Sequence, residues 1–205
     1  MNTVYYDPPF SDERRREELY RGQLLVYSPR KSTLAFIEFT RNLIKKAFAP
    51  YDPETAQQHL SVEQYADILG KLEPHFIHHA ESKALMRDIF VEMGCNLDKT
   101  YFDVPKMRSS TSDNYLTTGI AYAWHPHRDT WYSAPPCQIN WWIPIYDIQS
   151  NNAMAFHPQY WNVPVRNSSK EYNYYVWNQQ NRGMHVTRFL NEILDRSRSQ
   201  PNRLC

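Results

Sequence analysis

Apolar residues in the first half of the chain recur every three or four positions, the spacing that places them on one face of an α-helix. One such pattern runs from Ser32 to about Phe48, and we expect Ser32 to act as its N-cap and Pro50 to end it. A second pattern begins at Ser61, because Ser61 and Gln64 have the spacing of a capping box.

The second helical pattern also contains signals for interruption. Leu69-Gly70 predicts a break, after which helix is expected to resume from Pro74 to Met93. Gly94 then follows as a suitable C-terminal stop. The first half of the chain is therefore predicted to form two or three helices.

From Thr100 onward the pattern changes to short segments rich in Tyr, Trp, Ile and Val that are separated by Pro, Asn and Ser. This pattern is typical of β-strands joined by loops. The predicted strands are Tyr101–Lys106, Thr118–Trp124, Cys137–Ile145 and Ala153–His157, with a turn at 147–152 and a later helix around Met184–Leu194. Helices followed by strands predict an α+β domain whose helices buttress a β-sandwich or barrel.

A chain of 205 residues is long enough for one domain with a substantial core. We predict a single domain over 1–205, in which 1–99 form a mainly helical buttress. Residues 100–165 would then form the β-core, and 166–205 an insert with a helix and a mobile tail.

Charge and composition favour small-molecule chemistry in the cytoplasm. The 23 Lys and Arg residues nearly balance the 22 Asp and Glu residues, so no overall field predicts binding to nucleic acid or to a membrane. The start has no signal sequence, and no run of 18 apolar residues occurs. The cysteines at 95, 137 and 205 are too dispersed for a disulfide framework or a thiolate zinc site.

The candidate chemistry lies in the stretch WHPHRDTWY, residues 124–132. On an extended backbone the side chains of His127 and Asp129 project to the same face, where both could bind one metal ion. An imidazole and a carboxylate make up two-thirds of the facial triad that holds Fe(II) and leaves positions open for a cosubstrate and dioxygen. An HxD pair is a weak signal by itself, so its surroundings decide its meaning.

Those surroundings, WHPHRDTWY followed by CQINWWIPIYDIQSNNAMAFHPQYW, resemble the phytanoyl-CoA dioxygenase-like branch of the Fe(II)/2-oxoglutarate-dependent oxygenases. The matching features are the HxD, an aromatic pair after it, a strand bearing a Trp, an acidic turn and a polar corner. The chain departs from the family pattern in having Ala153 where glycine is usual and Gln159-Tyr160-Trp161 at the corner. The resemblance covers about 122–161.

The resemblance implies a double-stranded β-helix, which is a cupin-like jelly roll, with Fe(II) and 2-oxoglutarate as cofactors. His127 and Asp129 would be iron ligands, and Trp142 with Asn140 would lie near 2-oxoglutarate. The implied reaction is hydroxylation of a small organic substrate with dioxygen. Trp131 and Tyr132 would line an aromatic substrate pocket.

The family also carries a distal iron-binding His and an Arg that pairs with 2-oxoglutarate, and neither has a clear counterpart here. His157 matches an apolar position, and His185 lies in a segment that looks helical. We therefore expect the chain to be a fragment or a shortened form whose iron site is incomplete. The alternative is a catalytically inactive binding or assembly protein on the same scaffold.

A zinc hydrolase is a further alternative, because His125, His127 and Asp129 together satisfy HxHxD, the opening of the metallo-β-lactamase zinc cluster. That family normally has His after the Asp, and this chain has Thr130. His125 is then better explained as a residue that faces the substrate or supports a ligand.

Overall fold

The computed structural model describes residues 3–113, 115–116, 127–150 and 153–179. Its helices and strands, in chain order, are β1 (Val4–Tyr6), α1 (Asp12–Tyr20), β2 (Leu24–Val26), α2 (Lys31–Phe48), α3 (Val62–His78), α4 (Ala80–Glu92) and α5 (Tyr174–Gln179). Strands β1 and β2 pair in parallel, with Val4 opposite Leu24. No helix in these ranges is long and apolar enough to cross a membrane.

The predicted jelly roll is wrong for the described part of the chain, which is dominated by helices and has only β1 and β2 as strands. The predicted strands Tyr101–Lys106, Cys137–Ile145 and Ala153–His157 form no ladder. The predicted β-core at 100–165 is therefore absent from these residues. The predicted strand Thr118–Trp124 and helix Met184–Leu194 lie outside the described residues.

The segment that begins at Trp141 shows why a strand-like sequence forms no sheet. Trp141, Ile143 and Ile145 are partly buried and pack against the helical core. Their alternation is that of an extended segment with one buried face, as predicted. No strand of the described residues pairs with either edge of this segment, so no ladder forms, and its apolar side chains pack on the helices.

Helix α2 has the extent that its apolar pattern predicts, but a different start. It begins at Lys31, and the flanking residue Arg30 makes no side-chain capping bond. The backbone N–H of Ser32 donates to Glu92 Oε2 at 2.9 Å, and the Ser32 hydroxyl bonds the same oxygen. The predicted capping role of Ser32 is therefore wrong, because this serine ties α2 to the end of α4.

Helix α3 confirms the predicted capping box. The Ser61 hydroxyl accepts from the Gln64 N–H at 3.3 Å, and Gln64 Oε1 accepts from the Ser61 N–H at 2.9 Å. The predicted break at Gly70 is wrong, since α3 runs on through Pro74 to His78. The predicted continuous helix from Pro74 to Met93 is also wrong, because the extended backbone of His79 separates α3 from α4. Gly94, at φ +69°, follows α4 in the left-handed conformation expected of a helix stop.

The chain divides into two compact units. The first comprises Met1–Tyr115 and Trp141–Pro158. Its core forms where α2, α3 and α4 pack together, and the buried members of this core are Phe36, Phe76, Met86, Ile89, Phe90 and Met93. Arg15 of α1 is also buried here and donates to the Met93 carbonyl at 2.8 Å, which satisfies an acceptor near the end of α4.

The second unit comprises Leu116–Asn140 and Gln159–Cys205. In its described residues, Trp131 is buried and contacts Tyr132, Val165 and Tyr172. The Tyr132 and Tyr172 rings meet edge to face with centroids 5.3 Å apart. Trp131 and Tyr132 directly follow the HxD pair in sequence, so this small core anchors the turn that carries the pair.

Candidate functional site

The His127 and Asp129 pair lies at the entry to a short 3-10 helix in the second unit, Asp129–Tyr132. Between the two residues, Arg128 has an extended backbone with φ −110° and ψ 136°. Residues that flank one extended residue project to the same side, so the same-face argument holds without a strand. Ser133 closes the turn in the left-handed region at φ 63°.

The two side chains converge. His127 Nε2 lies 3.3 Å from Asp129 Oδ1. Two ligand atoms bound at right angles to one first-row metal ion would be about 3 Å apart, given metal–ligand distances of about 2.1 Å. The observed separation therefore fits two adjacent positions around a single ion, and it also fits an ion pair when the imidazole is protonated.

Asn140 supports the carboxylate from its other side. Its Nδ2 donates to Asp129 Oδ2, and its own Oδ1 accepts from Gln138 Nε2 at 2.8 Å. One carboxylate oxygen is thus held by an amide while the other faces the imidazole. This is the arrangement in which an outer residue orients a metal ligand. The sequence predicted Asn140 as a neighbour of 2-oxoglutarate, whereas the structure places it against Asp129.

Arg128, which sequence reasoning did not select, fixes the backbone between the two candidate ligands. Its Nη2 donates to the Tyr160 and Val163 carbonyls, the latter at 2.7 Å. Its guanidinium also lies over the Trp131 ring, 5.8 Å from the centroid. The sequence indicated this role by placing an arginine between His127 and Asp129. There its side chain can reach neighbouring backbone carbonyls, while the two flanking side chains project to the opposite side.

The two aromatic residues predicted to line a substrate pocket have different surroundings. Trp131 is only 9% exposed and belongs to the small core. Tyr132 lies edge to face with the His127 imidazole at 5.4 Å. Tyr132 thus covers one side of the candidate ligand, and the substrate-pocket role of both residues stays a prediction.

Two further residues were predicted to belong to the site. Trp142 belongs to the first unit, where its side chain is about half exposed. His125 lies outside the described residues.

A third protein ligand is not evident in the part of the chain that the structure describes. No group of three or more His, Cys, Asp or Glu side chains there could hold a metal ion. His157 lies in the first unit, and His185 is outside the described residues. His127 and Asp129 therefore provide two donors with the right chemistry for two of the three ligands of a facial triad.

Comparison with known proteins gives no family for this chain. No family model, curated protein or solved structure matches it. The resemblance to the phytanoyl-CoA dioxygenase-like oxygenases thus stays a prediction drawn from residues 122–161.

Proposed function

We propose that this chain belongs to a non-haem Fe(II)/2-oxoglutarate-dependent oxygenase that hydroxylates a small organic molecule, and that it supplies two of the iron ligands. The observation that carries the proposal is the 3.3 Å approach of His127 Nε2 to Asp129 Oδ1. The HxD pair thus combines the residue types and the spacing that the facial triad needs. The proposal does not depend on a jelly roll.

Each residue around the pair has a defined task in this proposal. Bound Fe(II) with 2-oxoglutarate and dioxygen supplies the oxidising chemistry. His127 and Asp129 would hold the ion, and Asn140 orients the Asp129 carboxylate by donating to its Oδ2. Tyr132 shields one side of the imidazole from water. Two protein donors alone predict weak binding, because the described residues offer no third ligand for chelation.

The cysteines support an intracellular setting for this chemistry. Cys95 and Cys137, the cysteines among the described residues, are free thiols. Free, dispersed thiols are typical of reducing compartments, where Fe(II) is also maintained. We accordingly propose the cytoplasm as the location.

The proposal is tested by adding Fe(II) and 2-oxoglutarate to the protein without oxygen and recording the visible charge-transfer band. We expect a band that saturates with Fe(II), and an apparent affinity at least about 10-fold weaker in His127→Ala and Asp129→Ala. His157→Ala is the matched control, since it removes an imidazole that is not part of the HxD pair, and we expect it to leave the titration unchanged.

Three results would count against the proposal. One is a band of equal strength in His127→Ala. Another is equal loss in the His157→Ala control. The last is Fe(II) binding that 2-oxoglutarate does not alter, which would instead favour a metal-binding protein without oxygenase activity.

A further inference from the structure

A polar cleft of about 300 Å³ opens in the first unit beside the C-terminal half of α2. The residues that line it are Arg41, Lys45, Asp52, Glu54, Tyr146 and Asp147. Arg41 and Lys45 are one turn apart on α2 and share a face. The volume is at the lower end of the range for small-molecule sites.

The Tyr146 hydroxyl is the most informative atom of this cleft. It is buried and has no hydrogen-bond partner in the described residues. Burial raises the pKa of Tyr146, and the negative charges of Glu54 and Asp52 add to this effect, against the opposing charge of Arg41. A buried hydroxyl without a partner is costly. Because almost none of its surface is accessible, a polar ligand in the cleft bonds this hydroxyl once the Tyr146 ring turns toward it.

Arg41 is held in place by other contacts. Its Nε donates to the Ile145 carbonyl at 2.6 Å, and its guanidinium lies over the Tyr146 ring at 5.5 Å. Its Nη2 is 4.0 Å from Asp147, whose side chain is fully exposed, so that ion pair is weak. The Nη side of the guanidinium therefore keeps donors for a ligand.

The charges around the cleft are not neutralised by one another. Lys45 forms no ion pair with a described carboxylate, and Asp52 Oδ1 accepts only the Glu54 N–H at 3.0 Å among the described hydrogen bonds. Two cations and three carboxylates line the opening, which leaves a net charge of −1 (2 − 3). Such a lining complements a ligand that carries one carboxylate and two ammonium groups.

We propose that this cleft binds a small basic amino acid, which carries one carboxylate and two ammonium groups. Arg41 and Lys45 receive the ligand carboxylate, Asp52 and Glu54 receive ammonium groups, and the Tyr146 hydroxyl completes the hydrogen bonding. The proposed cleft contains no residue of the HxD pair, so this proposal can be tested independently of the oxygenase proposal.

Isothermal titration of the full chain with L-lysine tests this inference. Cadaverine lacks only the carboxylate of lysine, and 6-aminohexanoate lacks only its α-ammonium group. We expect L-lysine to bind saturably and each analogue to bind at least about 10-fold more weakly. No L-lysine binding up to about 10 mM would overturn the proposal. Equal binding of cadaverine would overturn the assignment of Arg41 and Lys45.

Two variants separate ligand binding from folding. Tyr146→Phe removes a hydroxyl that has no described partner, so the ligand-free protein should remain as stable or gain stability. Tyr146→Phe should nevertheless weaken L-lysine binding about 3- to 10-fold, and Lys45→Gln about 10-fold or more.

Lys46→Gln is the matched control, since it removes the same charge from the next residue of α2, which does not line the cleft. It should change binding by less than about 2-fold. Equal weakening by Lys46→Gln and Lys45→Gln would mean that only the general charge of α2 matters, and it would overturn the site. Unchanged binding in both Tyr146→Phe and Lys45→Gln would do the same.

Discussion

The two oxygens of the Asp129 carboxylate have different surroundings. Oδ2 accepts from the Asn140 amide, whereas Oδ1 faces the His127 imidazole. A carboxylate that is held at one oxygen loses less rotamer freedom when the other oxygen binds a cation. Asn140 is therefore a positioning residue for the proposed metal pair, although it provides no ligand itself.

We expect Asn140→Ala to weaken Fe(II) binding about 10-fold, which is typical for loss of an outer-shell hydrogen bond to a ligand. Anaerobic titration of Fe(II) with 2-oxoglutarate would measure this. Asn162→Ala is the control, since it removes an exposed amide from the same unit. The prediction fails if the two variants bind Fe(II) equally well.

Asp12 is a residue whose charge matters for folding and not for the site. Burial tends to raise its pKa, but the hydrogen bond from Arg15 and the charges of Arg16 and Arg15 outweigh that effect. The pKa of Asp12 is therefore below its ordinary value of 3.8. A depressed folded-state pKa means that Asp12 stabilises the fold above the unfolded-state pKa, and that this contribution is lost as pH falls through the folded value.

Asp12→Asn should accordingly lower the free energy of unfolding by roughly 1–2 kcal/mol at pH 7. The difference from the wild type should shrink below about pH 3.9, where the unfolded carboxyl begins to bind its proton. Urea unfolding at several pH values measures both. Asp67→Asn, which breaks an exposed pair with Lys71, should cost less than about 0.5 kcal/mol. A pH-independent effect of Asp12→Asn would contradict the assignment.

At the level of elements, α2, α3 and α4 stabilise one another through their apolar faces. Phe36 of α2 and Phe76 of α3 meet edge to face at 5.9 Å, and Ile89 of α4 is 2% exposed in the same core. Helices of this length gain most of their stability from such packing and little from propensity alone.

Ile89→Ala should therefore cost about 2–5 kcal/mol, the sum of lost burial and the cavity that remains. Val91→Ala lies two residues away on the same helix at a side chain that is 57% exposed, and it should cost less than about 1 kcal/mol. Chemical denaturation of the two variants compares them directly. Similar costs would mean that α4 does not pack in this orientation.

The start of α3 provides a second test at this scale. Ser61→Ala removes the acceptor for the Gln64 N–H and should cost about 1 kcal/mol. Ser61→Asp should retain most of the stability, because an aspartate also caps and favours the helix N-terminus. Equal losses in both variants, measured by thermal unfolding, would show that the capping bond contributes nothing.

The helices were largely predictable because their signals are local. The capping box at Ser61 and the stop at Gly94 act within one turn, and the structure confirms both. The break at Gly70 was wrong for a tertiary reason, since buried Leu69, Leu72 and Phe76 hold α3 against its neighbours across that glycine. The ring of Pro74 would crowd the carbonyl four residues earlier, and residue 70 is a glycine, whose backbone adjusts most easily.

At the scale of the molecule, the β-core failed because strand formation depends on a partner elsewhere in the chain. Alternation at Trp141, Ile143 and Ile145 predicted the buried side of an extended segment, but not that helices would cover it. The candidate site was predictable in its residue types, since i and i+2 share a face around one extended residue. The contacts of Arg128 and Asn140 that support the site could not be predicted from the sequence, because they depend on the geometry of the turn.

The division into two units makes the two proposals separable by amide hydrogen exchange. A ligand slows exchange of those amides whose opening releases it, by up to about 100-fold at 100 times its dissociation constant. Anaerobic Fe(II) should therefore slow the amides of Trp131 and Ala134, whose N–H groups bond the Arg128 and Asp129 carbonyls. L-lysine should slow those of Glu54 and Thr55, which bond Asp52.

Fe(II) should change the exchange rates of the Glu54 and Thr55 amides by less than about 2-fold, and L-lysine should do the same for the Trp131 and Ala134 amides. The reason is that the two pairs of amides belong to different units. Asp129→Ala should abolish the Fe(II) effect and preserve the L-lysine effect, and Lys45→Gln should do the reverse. Protection of both sets by one ligand would mean that it stabilises the chain as a whole, and neither site could then be assigned from exchange. Protection of neither set by Fe(II), with the L-lysine effect intact, would reject the metal pair and leave the cleft in place.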